Sequence, residues 1–563
     1  MEKIFRDIRK LIAKGDVQLL ESISIAIPER FNWVREVFEN INLRDYPEYK
    51  AIIWTDGKQE AHYTFQAIGN WCNRFLNFLR RSGVQEQDII FSQIPLLPAN
   101  WICYLTAIKG GFQLIPSATI LNTADIVYRF GKLLPRVAIA DYENAAKIDE
   151  AEKISGQSIP LKIIVNDKRP GWVSFDDISG ESEEAMAADT KPGDPLFLFF
   201  TSGTTGLPKV VTHTHLSYPL GHLTTASWIG MHPGDLHYNI AQPGWAKFAW
   251  SSLFAPWNMG ACIFAFHPNG RFIAKDHLAM MEKYRVSTFC APPTVLRMLI
   301  LENLKEYQLS IRECVSAGEP LNPEVIDIWE RGTGLTIRDG YGQTESSCMI
   351  ANLPAANIRP GSMGKATFLY DVVIADEDGR EAGIDQEGNI CVKTNTGKPN
   401  GIFSDYFDDD VKKQEVFKHG LYYTGDKAYK DGDGYIWFVG RDDDVIKSSG
   451  YRIGPFEVES ALLEHESVIE SAVVGSPHPI KGLEIKAFVV LAQGNTPGKE
   501  LAENIFAFSK EKLAPYKIPR IIQFVNELPK TISGKIRRIE LRATEAQHKA
   551  KKISIPHEFF YSS

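Results

Sequence analysis

From Phe200 to Lys209 the chain reads FTSGTTGLPK, a concentration of groups that can hold an anion. Gly203 and Gly206 let backbone N–H groups come close to a phosphate, Thr201, Ser202, Thr204 and Thr205 add hydroxyl donors, and Lys209 adds a positive charge. The spacing departs from the GxxxxGK[ST] loop of NTPases, because Pro208 stands where the second glycine would fall and Val210 follows the lysine. The string is too specific for a plain polar turn. Three other residues of catalytic type stand downstream: Glu345 in QTE, Asp426 after a strand-like YYTG, and Lys535 in SGK. Each alone has an ordinary structural explanation as a helix N-terminal acid, a turn former or a solvated lysine. His213, His215 and His222 lie close in sequence, but the first two alternate, and structural or substrate-proximal roles are expected rather than metal binding.

These residues need a scaffold. Up to about residue 440, short apolar runs such as DIIFSQIPL and RVAIADY alternate with helical stretches such as WICYLTAIKG, which predicts stacked βα units around mostly parallel sheets. STFCAPPTVLRMLIL predicts a strand, a proline break, and a helix carrying Val295, Met298, Leu299 and Glu302 on successive turns. Beyond GNICVKT the pieces become β-rich, and DGDG at Asp431–Gly434 reads as a hairpin turn, lacking the closing glutamate of a calcium loop. A smaller α+β unit is expected after Arg441, with a helix opening near Pro455, strands at SAVVG and IKAFVVLA, and a helix with Leu501, Ile505, Phe508 and Lys512 on one face. The expected fold is therefore α/β: a large N-terminal domain, residues 1–441, with a β-rich subdomain, and a small mobile domain, residues 442–563. The acidic run Asp442–Asp444 at the seam reads as a hinge or as a solvated turn.

Composition narrows the function classes. A chain of 563 residues with 44% hydrophobic and 23% charged residues is ordinary for a globular enzyme of more than one domain. No apolar run approaches the roughly 20 residues that span a bilayer, and the N-terminus lacks a signal-peptide core, so a cytoplasmic protein is expected. Seven scattered cysteines with no CxxC argue against a disulfide framework or a zinc site. A net charge of -8 disfavours nucleic-acid binding. The locally basic tail GKIRRIELRATEAQHKAKK reads as a solvated helix face or as a contact for a phosphate-bearing ligand.

Five further segments accompany the loop in a fixed order: AGEP at Ala317–Pro320, DGYGQTE at Asp339–Glu345, YYTGD at Tyr422–Asp426, GRDDDVIKSSGYRIGPFEVE at Gly440–Glu459, and PKTISGKIRR at Pro529–Arg538. Together with FTSGTTGLPK they resemble the motifs of the adenylate-forming superfamily, and most of all its medium-chain acyl-CoA synthetases and their acetate-using cousins. The resemblance spans most of the chain. It implies a two-step reaction in which a carboxylate attacks the α-phosphate of ATP, releasing pyrophosphate, and CoA then displaces AMP from the acyl-adenylate.

The resemblance also implies roles. Lys535 would bridge the carboxylate and the α-phosphate, Glu345 would hold Mg²⁺, and Thr344 would donate to a phosphate oxygen. Gly318, Glu319, Pro320, Asp339, Gly340, Tyr341 and Gln343 would face the nucleotide, Asp426 would accept the ribose hydroxyls, and Arg441 and Arg452 would also serve ATP. Asp443 matches the hinge acid about which the small domain swings, bringing Ser449 and Gly450 to the CoA thiol's path. The chain ends at Ser563 without a carrier-protein segment, so a stand-alone CoA ligase is expected over an adenylation enzyme feeding a carrier, a luciferase-like oxygenase or an inactive nucleotide-binding regulator. No sequence feature sets an oligomeric state.

The acid is the remaining question. Acetate and propionate enzymes of the family carry a tryptophan directly before the QTE glutamine, where this chain has Gly342. The missing indole is expected to open room for several carbons, each buried CH₂ contributing about 0.8 kcal/mol. Trp245, Ala246, Lys247 and Ala317 would line the same pocket. Lys247 would either point to solvent or meet a polar end of the acid, such as the hydroxyl of a hydroxybutyrate.

Overall fold

The computed structural model describes the chain except residues 203–207, 269, 355, 396–400, 449–450, 480–481, 531–534 and 562–563 and the side chains of Ser202 and Arg452. Gly203, Thr204, Thr205, Gly206, Ser449 and Gly450 thus lie outside the described residues.

The described strands form four sheets. In an eight-stranded sheet, Gln113–Pro116, Ile89–Gln93, Val137–Ala140 and Leu161–Ile164 run parallel, as the alternation of apolar runs and helices requires. Val137–Ala140 is buried at every position, which is why it reads as an unbroken apolar run rather than an alternating one. The other end of this sheet is an antiparallel hairpin of Pro195–Ser202 with Pro208–Thr214, and Asp405–Tyr406 pairs onto its outer strand. The FTSGTTGLPK loop is thus a hairpin connection. In a nine-stranded sheet, Leu236–Asn239, Cys262–Phe266, Thr288–Ala291, Glu313–Ala317 and Ile337–Tyr341 run parallel to one another.

A helix, Ser217–Ile229, packs against Pro208–Thr214 of one sheet and Glu313–Ala317 of the other, and every one of its residues is buried. A helix buried all round needs no polar face. Its hydroxyls bond back along the helix, Thr224 to the Gly221 carbonyl at 2.7 Å and Ser227 to the Thr224 carbonyl at 2.8 Å. Leu220, Leu223 and Trp228 fill the space between the sheets, each burying a side chain that contributes about 1.5–3 kcal/mol.

A five-stranded antiparallel sheet contains Leu421–Lys430 and Ile436–Arg441, joined by the turn at Asp431–Gly434 as the sequence predicts. A six-stranded sheet begins at Ile446–Ser448 and is backed by the helices Pro455–Leu463, Lys499–Lys512 and Arg538–Lys551. Two helix expectations need correction. The helix after the proline break stops at Leu299, so Glu302 is not on it. Lys499–Lys512 turns Ala502, Ile505, Phe506 and Ser509 inward, not a face through Phe508 and Lys512, because the sheet contacts a stripe one residue away. In the basic tail Arg538 pairs with Glu459 at 2.6 Å and Arg542 with Asp444, while Glu545 is buried against Ser476 and Lys486. Those cations serve the small unit's own packing. All seven cysteines are buried and free, and among the described residues no helix is long and apolar enough to cross a membrane.

Candidate functional site

The strands Glu313–Ala317 and Ile337–Tyr341 are parallel neighbours, and in such sheets ligands usually bind outside the strands' carboxyl ends. The strands are largely buried, whereas Trp245, Ala246, Lys247, Glu319, Tyr341, Gly342, Gln343 and Thr344 are part-exposed at their ends. The chain leaves the first strand at Gly318 with φ +105°, a conformation that disfavours any side chain. Asp339 and Gly340, expected to face a nucleotide, are buried within the second strand, and an edge of Trp228 lies 2.5 Å from where a Cβ on Gly340 would stand.

One wall is a hydrogen-bonded set around Asp426, which is itself buried. Tyr341 Oη donates to Asp426 Oδ2 at 2.5 Å and Gln343 Nε2 to the same oxygen at 2.6 Å. Gln343 is fixed in turn by Tyr422, whose hydroxyl donates to Gln343 Oε1 at 2.9 Å. Both bonds fall on Oδ2. Arg441 is the register partner of Asp426 across the antiparallel pair. Burial raises the Asp426 carboxyl above its usual range, against the lowering action of Tyr341, Arg441, Gln343 and Lys535.

Lys535 reaches this wall from the small unit. Burial pulls its ammonium below the ordinary lysine value, with Glu319 and Asp426 opposing and Arg441 and Lys247 reinforcing the fall. The side chain is exposed, so its water is withdrawn only in part. Glu319 is held by Thr294 Oγ1 at 3.0 Å and Arg297 at 3.3 Å. At the seam, Asp443 lies 3.5 Å from Arg441 and 3.8 Å from Arg542, so it touches a group on each side.

A second wall surrounds Glu345. Lys209 Nζ lies 2.7 Å from Glu345 Oε1, and Tyr406 Oη donates to the same oxygen at 2.9 Å. Burial pushes this carboxyl up, but the charge and hydrogen bond of Lys209 and the bond from Tyr406 outweigh it and hold it below the ordinary value. A single hard carboxylate suits Mg²⁺, which is commonly bound by one or two carboxylates plus substrate phosphates; among the described residues no cluster of three metal-ligating side chains exists. Thr344 is anchored from below, since His213 Nε2 donates to its carbonyl at 2.7 Å. His213 is fully buried, with its pKa lowered to about 4 by that burial, so it is neutral. His215 and His222 are likewise buried and shifted down. Sequence reasoning missed Tyr406 and Tyr422, which sit outside the glycine-rich motifs or in their apolar positions; only the tertiary contacts single them out.

The expected acyl pocket needs one correction. A Cβ on Gly342 would lie 2.1 Å from the Ser347 carbonyl oxygen and 2.5 Å from Trp250, so the volume credited to the absent indole is already filled. The Trp250 ring stands beside Gly342, from the start of an i→i+5 helical turn three residues past Lys247. Lys247 does not simply point to solvent either: its ammonium donates to the Ala317 carbonyl at 3.2 Å and lies 5.5 Å from the Trp228 ring centroid.

The comparisons with known proteins show the family. The family described as AMP-binding enzyme matches residues 40–407, and the AMP-binding enzyme C-terminal domain matches residues 457–535. The chain is 46% identical over 554 residues to 4-hydroxybutyrate–CoA ligase 1 of Metallosphaera sedula, covering 98% of this chain and 95% of that one. It is 40% identical over 537 residues to the mitochondrial acyl-coenzyme A synthetase ACSM3 of Mus musculus, covering 93% and 92% of the two chains. The anthranilate CoA ligase AuaEII, solved in complex with anthranoyl-AMP, superposes with a TM-score of 0.85 at 29% identity over 93% of this chain and 99% of its own. A benzoate CoA ligase from Burkholderia xenovorans LB400 gives a TM-score of 0.79 at 27% identity, over 90% and 99%. The chain belongs to the adenylate-forming, AMP-binding enzyme family and, within it, to the acyl-CoA synthetases.

Proposed function

We propose that this acyl-CoA synthetase adenylates a short- to medium-chain carboxylic acid, with hydroxylated C4 acids among its substrates, and transfers the acyl group to CoA with release of AMP. The observation that carries the mechanism is the convergence of Lys535, Asp426 and Arg441 at one cleft. Adenylation brings two anions together, and the Lys535 ammonium neutralises the charge that develops between carboxylate and α-phosphate. Asp426, with both protein bonds on Oδ2, offers Oδ1 to the ribose hydroxyls. Glu345 holds Mg²⁺, which screens the phosphate charge when bound. Thr344, Lys209, Thr201 and the rest of the hairpin loop hold the phosphates, and Glu319, Pro320, Tyr341 and Gln343 border the nucleotide. Ser449 and Gly450 serve CoA once residues 442–563 turn about Asp443, which divides them from the adenylating domain 1–441.

The substrate class rests on the pocket formed by Trp245, Ala246, Lys247, Ala317 and Gly342, closed by Trp250. Lys247 donates one of its three hydrogens to the Ala317 carbonyl and keeps the others for an oxygen on the acid. The relative named for 4-hydroxybutyrate supports the same reading. A cytoplasmic location belongs to this proposal and is checked by fractionation. ATP–pyrophosphate exchange against butyrate, 4-hydroxybutyrate, hexanoate and acetate, followed by AMP release with and without CoA, tests the whole. Exchange with the C4 acids and CoA-dependent AMP release are expected; exchange with none of these acids would overturn it.

A further inference from the structure

Tyr406 lies outside every motif singled out in the sequence, yet it reaches the centre of the Glu345 wall. Asp405–Tyr406 pairs antiparallel with Pro208–Thr214, setting Tyr406 opposite Val211 and beside Lys209. Three contacts close a triangle: Tyr406 Oη donates to Glu345 Oε1 at 2.9 Å, Lys209 Nζ donates to Tyr406 Oη at 2.8 Å, and Lys209 Nζ stands 2.7 Å from Oε1. The ammonium also lies 4.3 Å from the centroid of the tyrosine ring. The same segment grips the glutamate's backbone, since Phe403 N–H donates to the Glu345 carbonyl at 2.8 Å. Tyr406 is 2% exposed.

This triangle bears on how metal and nucleotide arrive, given the roles proposed above for Lys209 and Glu345, on which the inference rests. An ammonium and a divalent cation on one carboxylate oxygen repel each other, so the ion pair and the metal compete for Oε1. The hairpin lysine is drawn off only when phosphates offer it another anion. Removing it would leave Oε1 buried without its cation, and the tyrosine hydroxyl then keeps the carboxylate bonded and aimed. We propose that Tyr406 is a positioning residue that holds Glu345 while Lys209 is exchanged for the metal, and that the Lys209–Glu345 pair keeps the metal position closed until ATP binds. Metal binding is then obligatorily coupled to the nucleotide.

Mn²⁺ serves as the probe, its binding read by electron paramagnetic resonance with and without a non-reactive α,β-methylene ATP. Wild-type protein is expected to bind Mn²⁺ only with the analogue. Lys209→Met should bind Mn²⁺ without any nucleotide. Tyr406→Phe should raise the half-saturating Mn²⁺ in the presence of the analogue about tenfold, the loss of roughly one hydrogen bond to a charged group, while leaving metal-free AMP affinity unchanged. An unchanged Mn²⁺ midpoint in Tyr406→Phe, an equal loss of AMP affinity, or no nucleotide-independent Mn²⁺ in Lys209→Met would each overturn the inference. Failure of the wild type to bind Mn²⁺ even with the analogue would instead overturn the metal role of Glu345, with acid activation then judged separately by the exchange assay.

Discussion

Asp426 and Arg441 stand directly opposite each other on adjacent antiparallel strands, and the charge of Lys535 acts on the same carboxylate. A β-hairpin with the turn Asp431–Gly434 therefore carries an acceptor and a cation to one point, where a domain-borne lysine meets them. Replacing Asp426 by Asn keeps the bonds from Tyr341 and Gln343 sterically possible but removes the charged acceptor. The KM for ATP is expected to rise at least tenfold, with the KM for the acid nearly unchanged; equal effects on both would contradict the ribose role.

Lys535→Ala should lower ATP–pyrophosphate exchange by about 10²-fold to 10³-fold, the loss seen when one charge-stabilising donor is removed. Thioester formation from pre-made acyl-adenylate should be retained. In the wild type the exchange rate should fall on the alkaline side at a pH below the ordinary lysine value of about 10.4, because burial depresses the folded pKa and the ammonium form is the active one. A pH–rate profile flat to that value contradicts the assignment.

Chain-length selection is expected to follow Trp250. Trp250→Leu should extend use from C4 toward C6–C8 acids, each added CH₂ contributing about 0.8 kcal/mol, or roughly fourfold in kcat/KM. Lys247→Met should lower the preference for 4-hydroxybutyrate over butyrate by about tenfold, within the range for a lost bond to a charged group. Gly342→Trp is a poor probe, since its Cβ would meet the Ser347 backbone at 2.1 Å and disturb the fold itself. Unchanged profiles in both variants would move the acyl pocket elsewhere.

Stability should fall in mild acid. Burial lowers the pKa of His213, His215 and His277 to about 4 and of His237 to about 3, against about 6.5 unfolded. A depressed folded pKa means that the unfolded chain binds the protons first. The stability these neutral rings contribute is present above about pH 6.5 and lost as pH falls toward 4. Tm measured across that window should drop, and replacing His213 by Gln should flatten the drop.

Much of the site was legible because local chemistry demands particular residues. The hairpin loop announces an anion site by itself, whereas Gly318, Asp426 and Lys535 gain a task only from the order of their motifs, which implies a family. The parallel sheets were legible from apolar periodicity, and the turn at Asp431–Gly434 from its composition. Gly342 shows the limit. Its lack of a side chain was taken as open space, but whether space is open depends on what else packs there, and Trp250 comes from a helix 92 positions earlier in the numbering. Of the two readings of Lys247, the one that turned it to solvent fails for the same reason, since its ammonium donates to the Ala317 carbonyl.

The sequence by itself determined the scaffold type, which follows from apolar periodicity, and the reaction class, which follows from the resemblance of its ordered motifs to the adenylate-forming superfamily. The tertiary structure alone decided that Tyr406 completes the Glu345 and Lys209 contact, that His213 supports Thr344, and that Trp250 packs against Gly342. Those are contacts between residues distant in the chain, and side-chain packing in a dense interior is set by the neighbours that folding brings together.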